Sequence, residues 1–411
     1  MTKRVLISLI VVLVLVGLVA CGSVEPIEQI VEDAVVTEPE NVSTDDMDAK
    51  PQADEQILTW PVDNSGLSAF DFVKDMRIGW NLGNTMDVIN SGIGILRNSP
   101  PYLWETGWGN PVTTPELFDV LYENGFNVFR IPVSWNDHLM INEDYKIVDS
   151  WMDRVQEIVD YAYQTGAYVI INTHHEHWLK PYYGQQEHVS YILRRIWEQI
   201  AERFKDYSDR LIFEGMNEPR KVGTAVEWTG GDREGWEVIN HLNKVFIQTV
   251  RNSGGNNLTR YLMITPHAAN GWEAAKHLEV PENDNRIIVS VHAYEPYEFA
   301  LKVDGRGNWI NETGPIDRLM NGLYERFVSK GIPVIMGEFG AMFKPAEGNE
   351  ADRGEWAEYY IRKAMESGIP CIWWDNGGFT GNGELFGLIN RQTNEFVYPL
   401  VVEGLFRGLS Q

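Results

Sequence analysis

Short apolar runs alternate with longer amphipathic segments along the chain from about residue 61 to its end. Each run is five to seven residues long, which is typical of strands. The runs predict strands at residues 76–80, 127–133, 168–173, 211–216, 261–265, 287–292, 333–337 and 370–374. Because these runs are almost continuously apolar, we expect strands that are buried on both faces and therefore parallel.

The amphipathic segments between the strands predict helices at residues 114–124, 150–165, 190–207, 236–252, 315–329 and 352–367. Glycines 125, 166, 331 and 368 follow these helices, where a left-handed residue commonly ends a helix. Eight strands separated by helices in about 350 residues predict an α/β fold, a closed (β/α)8 barrel forming one domain over residues 61–411. A doubly wound open sheet is the alternative. It is disfavoured because residues 79–84 have the wrong spacing for a glycine-rich phosphate loop and contain Trp80.

The first twenty residues have a different character from the rest of the chain. Lys3 and Arg4 precede an apolar run over residues 5–20, and Cys21 follows it. This order is typical of an export signal, and the run is short for a membrane span of about 20 apolar residues. Residues 18–21, Leu-Val-Ala-Cys, resemble a bacterial lipobox, which implies cleavage before Cys21 and a lipid on its side chain. A plain cleaved signal and an uncleaved anchor are the alternatives.

Residues 22–60 carry eleven acidic side chains, one basic side chain and three prolines. A like-charged stretch of this kind repels itself and predicts an extended acidic tether over residues 21–60. An acidic face of the folded domain is the alternative interpretation. Together with the lipidated Cys21, the tether predicts a protein that is exported and lipid-anchored at the bacterial cell envelope. The remaining cysteine, Cys371, is expected to be a small buried side chain, so no disulfide is expected.

The formal net charge of −25 limits the classes of molecule that the chain is expected to bind. Binding to nucleic acid needs clustered lysine and arginine, so nucleic acid is not an expected partner. A neutral polysaccharide is compatible with this charge.

Polar side chains follow seven of the eight predicted strands, where a (β/α)8 barrel builds its active site. The segments concerned are Trp80-Asn81, Arg130, His174-His175-Glu176, Asn217-Glu218-Pro219, His292-Ala293-Tyr294, Glu338-Phe339-Gly340 and Trp373-Trp374-Asp375-Asn376. One polar strand end is common in any protein, but seven that converge indicate a catalytic or binding site.

Glu218 and Glu338 each follow an apolar run, on strands that face each other across the predicted barrel. Either one alone is more often a solvated residue at the start of a loop. As a pair they fit glycoside hydrolysis, in which one carboxyl protonates the leaving oxygen and the other acts as nucleophile or base. Asn217, beside Glu218, is expected to donate a hydrogen bond to the 2-hydroxyl of a sugar.

Several ordered motifs resemble those of glycoside hydrolase family 5, in the clan of retaining barrel enzymes. They are Phe129-Arg130-Ile131-Pro132, Asn217-Glu218-Pro219 and Gly337-Glu338-Phe339-Gly340. The segments at residues 79–87 and 373–377 are similar to the endoglucanase and xyloglucanase branch of that family. Each motif alone is weak evidence. Together, however, the motifs occur in the order expected for the family across the whole of residues 61–411.

The resemblance implies a role for each matching position. Glu218 would be the acid/base and Glu338 the nucleophile. Arg130 would keep the nucleophile ionised, because an opposite charge nearby favours the charged form; a structural partner for a buried carboxylate is its alternative role. Tyr294 would hydrogen-bond the nucleophile, and His292 would lie beside the acid/base.

Four further positions would contact the sugars. His174 and His175 would bind hydroxyls at the cleavage subsite, and Asn81 would contact the next sugar along. Because strand alternation lets only one of Trp373 and Trp374 face the mouth, Trp374 is expected to stack under the sugar at the scissile bond.

The neighbouring histidines and Glu176 could suggest a metal site. Alternate residues of a strand face opposite ways, so the cluster is not expected to converge on one ion, and no metal or other cofactor is expected.

These features together predict a retaining endo-β-1,4-glucanase acting on β-glucan. The alternatives are a xyloglucanase, xylanase, mixed-linkage glucanase or mannanase of the same family, which differ in the loops at residues 86–112, 176–190 and 220–235. A non-catalytic glycan-binding protein and an unrelated barrel enzyme are rivals from other classes. The presence of both glutamates argues against the first, and the export signal argues against a cytoplasmic metabolite as substrate.

Overall fold

The computed structural model describes residues 58–90 and 92–410, and in them eight parallel strands form a closed barrel. The strands are β1 (Ile78–Leu82), β2 (Val128–Ile131), β3 (Tyr168–Asn172), β4 (Leu211–Glu214), β5 (Leu262–Ile264), β6 (Ile287–His292), β7 (Val334–Phe339) and β8 (Cys371–Asp375). Each strand pairs with its neighbours in sequence, and β1 pairs with β8. The predicted (β/α)8 barrel is therefore confirmed.

Helices cover the outside of the barrel. The α-helices are Ala69–Phe72, Pro101–Glu105, Pro115–Glu123, Asp149–Gln164, Gln186–Arg203, Arg233–Asn252, Tyr297–Ala300, Gly314–Arg326, Glu350–Glu366 and Pro399–Leu409. All six predicted helices occur. The last helix and the three short helices Ala69–Phe72, Pro101–Glu105 and Tyr297–Ala300 were not predicted. Between β5 and β6, the described chain forms 3-10 turns at His267–Ala269 and Ala274–His277 in place of an α-helix.

The interior of the barrel begins with an apolar layer at its base. One inward side chain from each of seven strands builds this layer: Val128, Ile170, Ile212, Met263, Ile288, Ile335 and Ile372. The short helix Ala69–Phe72 closes the base beneath them, and its Phe72 ring stacks on Tyr261 with 3.6 Å between ring centroids. All seven side chains are buried and six of them are branched, and their close packing gives the fold a rigid floor.

A polar layer lies directly above the apolar one. Side chains of a strand alternate between its faces, so the residue two positions after each floor residue also points inward. On four strands these residues are Arg130, Asn172, Glu214 and Ser290, and none of them is exposed. The same alternation therefore builds both the floor of the barrel and the base of the candidate site.

Strand β7 departs from this alternation at Gly337. Its pairing with β6 passes from Met336 to Glu338, and its pairing with β8 also shifts there. Such a bulge inserts one extra residue and redirects the side chains that follow. Consequently Glu338, three positions after the floor residue Ile335, shares the interior of the barrel with Arg130.

The chain joins the domain at the base of the barrel. The indole of Trp60 donates to Asp284 over 3.2 Å, and the carbonyl of Thr59 accepts from Gln248 over 2.8 Å. Residues 58–60 thus pack on the domain. The predicted tether, which included these three residues, therefore ends before them. The predicted signal, Cys21 and the rest of the tether lie outside the described residues. Within the described ranges, no helix has the length and apolarity that crossing a membrane requires.

Candidate active site

The candidate site lies at the mouth of the barrel, and Arg130 is at its centre. Its guanidinium is fully buried on β2 and contacts four side chains. It donates from Nη1 to Glu338 over 2.8 Å and to Asn81 over 3.0 Å, from Nε to Glu214 over 2.8 Å, and from Nη2 to Asn217 over 2.7 Å. Burial alone would lower the pKa of Arg130, but the charges of Glu214 and Glu338 outweigh it and raise that pKa. One cation therefore fixes several groups of the site.

Glu338 is held from both sides. Arg130 contacts its Oε1, and the hydroxyl of Tyr294 donates to its Oε2 over 2.9 Å. Burial, followed by the charges of Glu338 and Glu218, holds the pKa of Tyr294 well above its usual value. Tyr294 is therefore a permanent hydrogen-bond donor to this carboxylate.

Glu218 has a different setting. It lies in the loop after β4, four residues beyond Glu214, the last residue of that strand. Nδ1 of His292 is 2.8 Å from its Oε1 and 3.6 Å from Oε2 of Glu338. Burial raises the pKa of Glu218, but the hydrogen bond and charge of His292, with the charge of Arg220, leave it lowered. Burial lowers the pKa of His292, yet Glu338 and Glu218 leave it raised.

The two glutamates approach each other closely. A carboxylate oxygen of Glu218 and one of Glu338 lie within 4.8 Å of each other. Carboxyl groups of retaining glycosidases are about 5–5.5 Å apart, whereas inverting enzymes separate them by about 6.5–9.5 Å to admit a water molecule. This close approach of the two oxygens agrees with the retaining arrangement.

The two histidines after β3 lie next to each other. Strand β3 ends at Asn172, so His174 and His175 are outside the alternating part of the chain and their ring centroids are 4.4 Å apart. The expectation that neighbouring positions would diverge was therefore wrong. Burial, followed by the charge of His175, holds the pKa of His174 well below its usual value, and burial lowers the pKa of His175 to about 4. Both rings are neutral near pH 7.

Together with Asp87, these two histidines are close enough to one another to hold a metal ion. The carboxylate of Asp87 is 4.0 Å from the ring of His174. Its oxygens already accept the backbone N–H groups of Asn84 over 3.0 Å and Thr85 over 2.6 Å. Asp87 thus orders the loop after β1. The expectation of no metal stays a prediction.

The two consecutive tryptophans of strand β8 lie in different environments. Trp373 is in the core, where its indole donates to the carbonyl of Phe386 over 3.0 Å. Trp374 lies at the mouth with 8% of its surface exposed, and its ring is parallel to that of His174 at 5.8 Å between centroids. The structure thus brings Trp374 to the same site as His174.

One predicted contact needs correction. Asn81 was expected to touch a sugar, but its side chain is fully buried beneath the site. Its amide donates to the carbonyl of Gly337 over 3.0 Å, and its oxygen accepts from Arg130. The inward face of β1 places it in the polar layer, so Asn81 positions Arg130 and the bulge of β7.

Glu214 is a member of the site that sequence analysis missed. It accepts hydrogen bonds from Arg130, from Asn172 over 3.0 Å and from Ser290 over 2.6 Å, without exposure to solvent. The available signal was a carboxylate inside the apolar run of residues 211–216. A charge there needs a buried partner, and Arg130 is that partner.

An open cavity of about 1270 Å³ extends from Glu218 between the loops after β3 and β4. Its lining includes Glu218, Arg220, Lys221 and Tyr182, together with both histidines. The site thus combines a closed region around Glu338 with an open cleft beside Glu218.

Comparison with known proteins identifies relatives along most of the chain. The family model for cellulase, glycosyl hydrolase family 5, matches residues 95–380. Endoglucanase B of Neocallimastix patriciarum is 50% identical over 346 residues, which cover 84% of this chain and 72% of that protein.

Two solved structures have the same fold at high identity. A GH5-4 broad specificity endoglucanase from Clostridium longisporum is 42% identical with a TM-score of 0.79, covering 84% of this chain and 99% of that one. One from Ruminococcus champanellensis, with bound cellotriose, is 43% identical with a TM-score of 0.79, covering 82% of this chain and 98% of that one. The protein belongs to glycoside hydrolase family 5, the cellulase family.

Proposed function

We propose that this glycoside hydrolase is a retaining endo-β-1,4-glucanase with Glu338 as nucleophile and Glu218 as acid/base. The observation that carries the proposal is the pair of carboxylates with oxygens within 4.8 Å, each held by different partners. The relatives named endoglucanases and the cellotriose bound to one of them support a β-glucan as substrate. A cleft that continues past Glu218 supports cleavage within a chain rather than at its end.

In the first step, a carboxylate oxygen of Glu338 attacks the anomeric carbon of the sugar. The bond from that carbon to the bridging oxygen breaks, and Glu218 transfers a proton to this oxygen as it leaves. Arg130 and Tyr294 orient the nucleophile through its two oxygens. Because both donors are fixed before substrate arrives, little reorganisation accompanies the attack.

The proton for this step comes from the pair of Glu218 and His292. The raised pKa of His292 and the lowered pKa of Glu218 favour a protonated histidine beside a charged carboxylate. A sugar that fills the cleft removes water and favours the neutral carboxylic acid over the ion pair. The proton then moves over 2.8 Å from Nδ1 to the carboxylate, which passes it to the leaving oxygen.

In the second step, a water molecule takes the place of the departed sugar. Glu218, now a carboxylate, removes a proton from this water, and the resulting oxygen attacks the anomeric carbon. The bond to Glu338 breaks, which releases the product in its original configuration and restores both carboxyl groups.

Other side chains bind the sugar during both steps. The oxygen of Asn217 accepts from Arg130, so its amide nitrogen remains directed to the 2-hydroxyl. The neutral rings of His174 and His175 contact further hydroxyls, and the face of Trp374 packs against the sugar. These contacts strengthen as the ring flattens in the transition state.

The test combines two variants with two kinds of substrate. Glu338→Gln should lower kcat by about 10⁵-fold or more on every substrate, because no covalent intermediate forms. Glu218→Gln should lower kcat/KM by about 10²–10⁴-fold on β-glucan, and far less on an aryl cellotrioside whose leaving group needs no proton, because kcat/KM reports only the first step. NMR of the first product should show the β anomer. An α product, or equal losses of Glu218→Gln on both substrates, would contradict the assignment.

Preference among β-glucans follows from product release on carboxymethylcellulose, lichenan, xyloglucan, xylan and mannan, resolved by oligosaccharide length. Mixed-length oligomers from the glucans support endo-cleavage, and a single preferred backbone names the substrate. A folded protein that binds these polymers without releasing product would support the glycan-binding alternative.

We further propose that the protein is exported and held at the cell envelope by a lipid on Cys21. The basic head, the apolar run and the cysteine after Ala20 support this proposal. Mass spectrometry of the mature protein should find a diacylglyceryl-modified Cys21, and Cys21→Ser should release activity from the membrane fraction. An unmodified N-terminus in the membrane fraction would overturn it.

A further inference from the structure

A buried asparagine at the end of β3 joins the polar layer of the barrel to the candidate site. Asn172 is the last residue of β3, and it pairs with Glu214, the last residue of β4. Two residues further along the chain is His174, which is part of the lining of the cavity beside Glu218. Asn172 and Glu214 have no exposed surface, and the side chain of His174 has 2%. Hydrogen bonds among these three side chains therefore form without competition from solvent.

The amide of Asn172 has one fixed orientation. Its Oδ1 accepts from the N–H of Val133 over 3.0 Å, and its Nδ2 donates to Oε2 of Glu214 over 3.0 Å. Turning the amide over would set its N–H groups against the N–H of Val133 and its oxygen against the carboxylate. Only one orientation therefore satisfies both neighbours. Nδ2 also carries a second hydrogen, which is the one that faces His174.

This second hydrogen decides which nitrogen of the imidazole is protonated. Nδ2 of Asn172 lies 3.2 Å from Nδ1 of His174. Because an amide nitrogen can only donate, Nδ1 must accept and carries no hydrogen. A neutral imidazole has one N–H, which is therefore at Nε2. An imidazolium would set a second N–H against the amide, so the same contact also opposes a charged ring.

The surroundings of the ring favour the same state. Nε2 of His174 lies 4.0 Å from a carboxylate oxygen of Asp87, which attracts an N–H at this position and would repel a lone pair. Burial is the largest cause that holds the pKa of His174 well below its usual value. The titratable groups that act on the ring in the same direction are His175, Arg130, His292 and Arg220.

We propose that Asn172 is a positioning residue that fixes the neutral Nε2–H tautomer of His174 for the reaction. The inference rests on the proposed function and extends it to the state of a side chain that binds the sugar. The N–H at Nε2 donates to a sugar hydroxyl. The transition state of glycoside cleavage gains positive charge, so an uncharged ring avoids the repulsion that a neighbouring cation would cause. Through Glu214 and Arg130, the same buried layer also orients the nucleophile Glu338.

The tautomer can be measured directly by NMR. In protein with ¹⁵N-labelled histidine rings, long-range ¹H–¹⁵N correlations distinguish protonated from unprotonated ring nitrogens, and His174→Gln identifies the signals of this ring. In the wild type near neutral pH, Nδ1 should be unprotonated and Nε2 protonated. A hydrogen on Nδ1 of the wild-type ring would overturn the proposal, whatever the variants do.

Asn172→Asp reverses the contact, because the introduced carboxyl group accepts where the amide donates. The hydrogen should move to Nδ1, and the pKa of the ring should rise toward its ordinary value of about 6.5. At about pH 5.5, about nine tenths of such rings are charged, so kcat on the aryl cellotrioside should fall by about tenfold. The KM should change by less than about threefold, since an imidazolium still donates from Nε2. The loss in kcat should shrink as the pH rises through the pKa of the ring, and a loss independent of pH would contradict the proposal.

A double variant shows whether this effect passes through the ring. Adding Asn172→Asp to His174→Gln should lower kcat by less than about twofold, because no imidazole is left to take up a proton. The acidic limb of kcat should stay where His174→Gln alone places it. A full tenfold loss in the His174→Gln background would mean that Asn172 acts through Glu214, and the positioning role would be wrong.

Asn257→Asp is the matched control. Asn257 is also fully buried and also donates two hydrogen bonds, to the carbonyl of Ala201 and the hydroxyl of Ser253, each over 2.8 Å. It precedes β5, at the end of the barrel opposite to the cleft. Its kcat and pH profile should match those of the wild type, even where its melting temperature falls as far as that of Asn172→Asp.

The two levels of the hypothesis fail differently. If the folded wild-type protein cleaves neither β-glucan nor the aryl cellotrioside, the proposed function is wrong, and the NMR measurement still decides the tautomer. If the wild type is active and Asn172→Asp moves the hydrogen to Nδ1 without changing kcat, the tautomer has no role in the reaction. If Asn172→Asp does not fold, the wild-type spectrum alone decides whether Asn172 donates to the ring.

Discussion

The region around the proposed nucleophile Glu338 (the nucleophile side) and the region around the proposed acid/base Glu218 (the acid side) are built in different ways. Glu338 belongs to a strand, and its partners Arg130 and Tyr294 come from or directly follow strands β2 and β6. Glu218 belongs to a loop, and it faces a histidine, an arginine and an open cavity. The proposed reaction explains the difference: its nucleophile must hold one position, whereas its acid must gain and lose a proton beside exchanging sugars and water.

The largest expected effect comes from breaking the nucleophile side at Arg130. Arg130→Met leaves Glu214 and Glu338 buried without their cation, so the free energy of unfolding should fall by about 3–5 kcal/mol. The kcat should also fall, by more than about 100-fold, because Glu338 is no longer oriented. Urea unfolding and steady-state kinetics measure the two effects.

A second change separates stability from activity at this position. Adding Glu214→Met to Arg130→Met removes one of the stranded charges, so it should recover part of the lost stability and none of the activity. Arg407→Met, which breaks a surface ion pair with Glu358, should cost about 1 kcal/mol or less. Equal losses of stability for the buried and surface changes would contradict this description of the nucleophile side.

A smaller effect is expected when His292, which is proposed to share a proton with Glu218, is replaced. In His292→Asn, Glu218 must hold its proton alone, so the alkaline limb of kcat/KM should move down by about one pH unit. The folded pKa of His292 is raised, so its stabilisation is complete below the unfolded value of 6.5 and is lost as the pH rises through the folded value. The stability difference from the wild type should therefore shrink above pH 6.5. A constant difference across that range would refute the shared proton.

The smallest effect is expected from removing one hydroxyl. Tyr294→Phe deletes one neutral hydrogen bond to Glu338 while Arg130 remains, so kcat/KM should fall by about tenfold. The melting temperature should change little, since the ring still packs near Phe386. Tyr191→Phe, which removes an exposed hydroxyl bonded to Asp144, should leave kcat/KM unchanged.

Much of the fold could be predicted because the barrel repeats one local pattern. Each apolar run predicted a strand, and glycines 125, 166, 331 and 368 all have positive φ at the predicted helix ends. Residues 266–286 carried no helical periodicity, and the structure has short turns there. The final helix was missed because Gly404 and Gly408 weaken the helical signal of its sequence.

The sequence predicted which strand ends form the candidate site. It did not predict the hydrogen bonds that join their side chains. A run such as Leu211–Glu214 does not reveal which of its residues face inward until the floor of the barrel is known, so Glu214 was missed. The burial of Asn81 depends on the same register. The bulge at Gly337 is invisible in the sequence, since it arises from pairing between three strands.

The packing of residues 58–60 at the base of the barrel has a practical consequence. Trp60 bonds to Asp284, just before β6 begins, which is the end of the barrel opposite to the cleft. A surface or a fluorescent label joined directly to residue 58 would therefore meet the protein at the base of the barrel. A polymer could then enter the cleft without steric competition, so a protein immobilised at residue 58 should present its mouth outward.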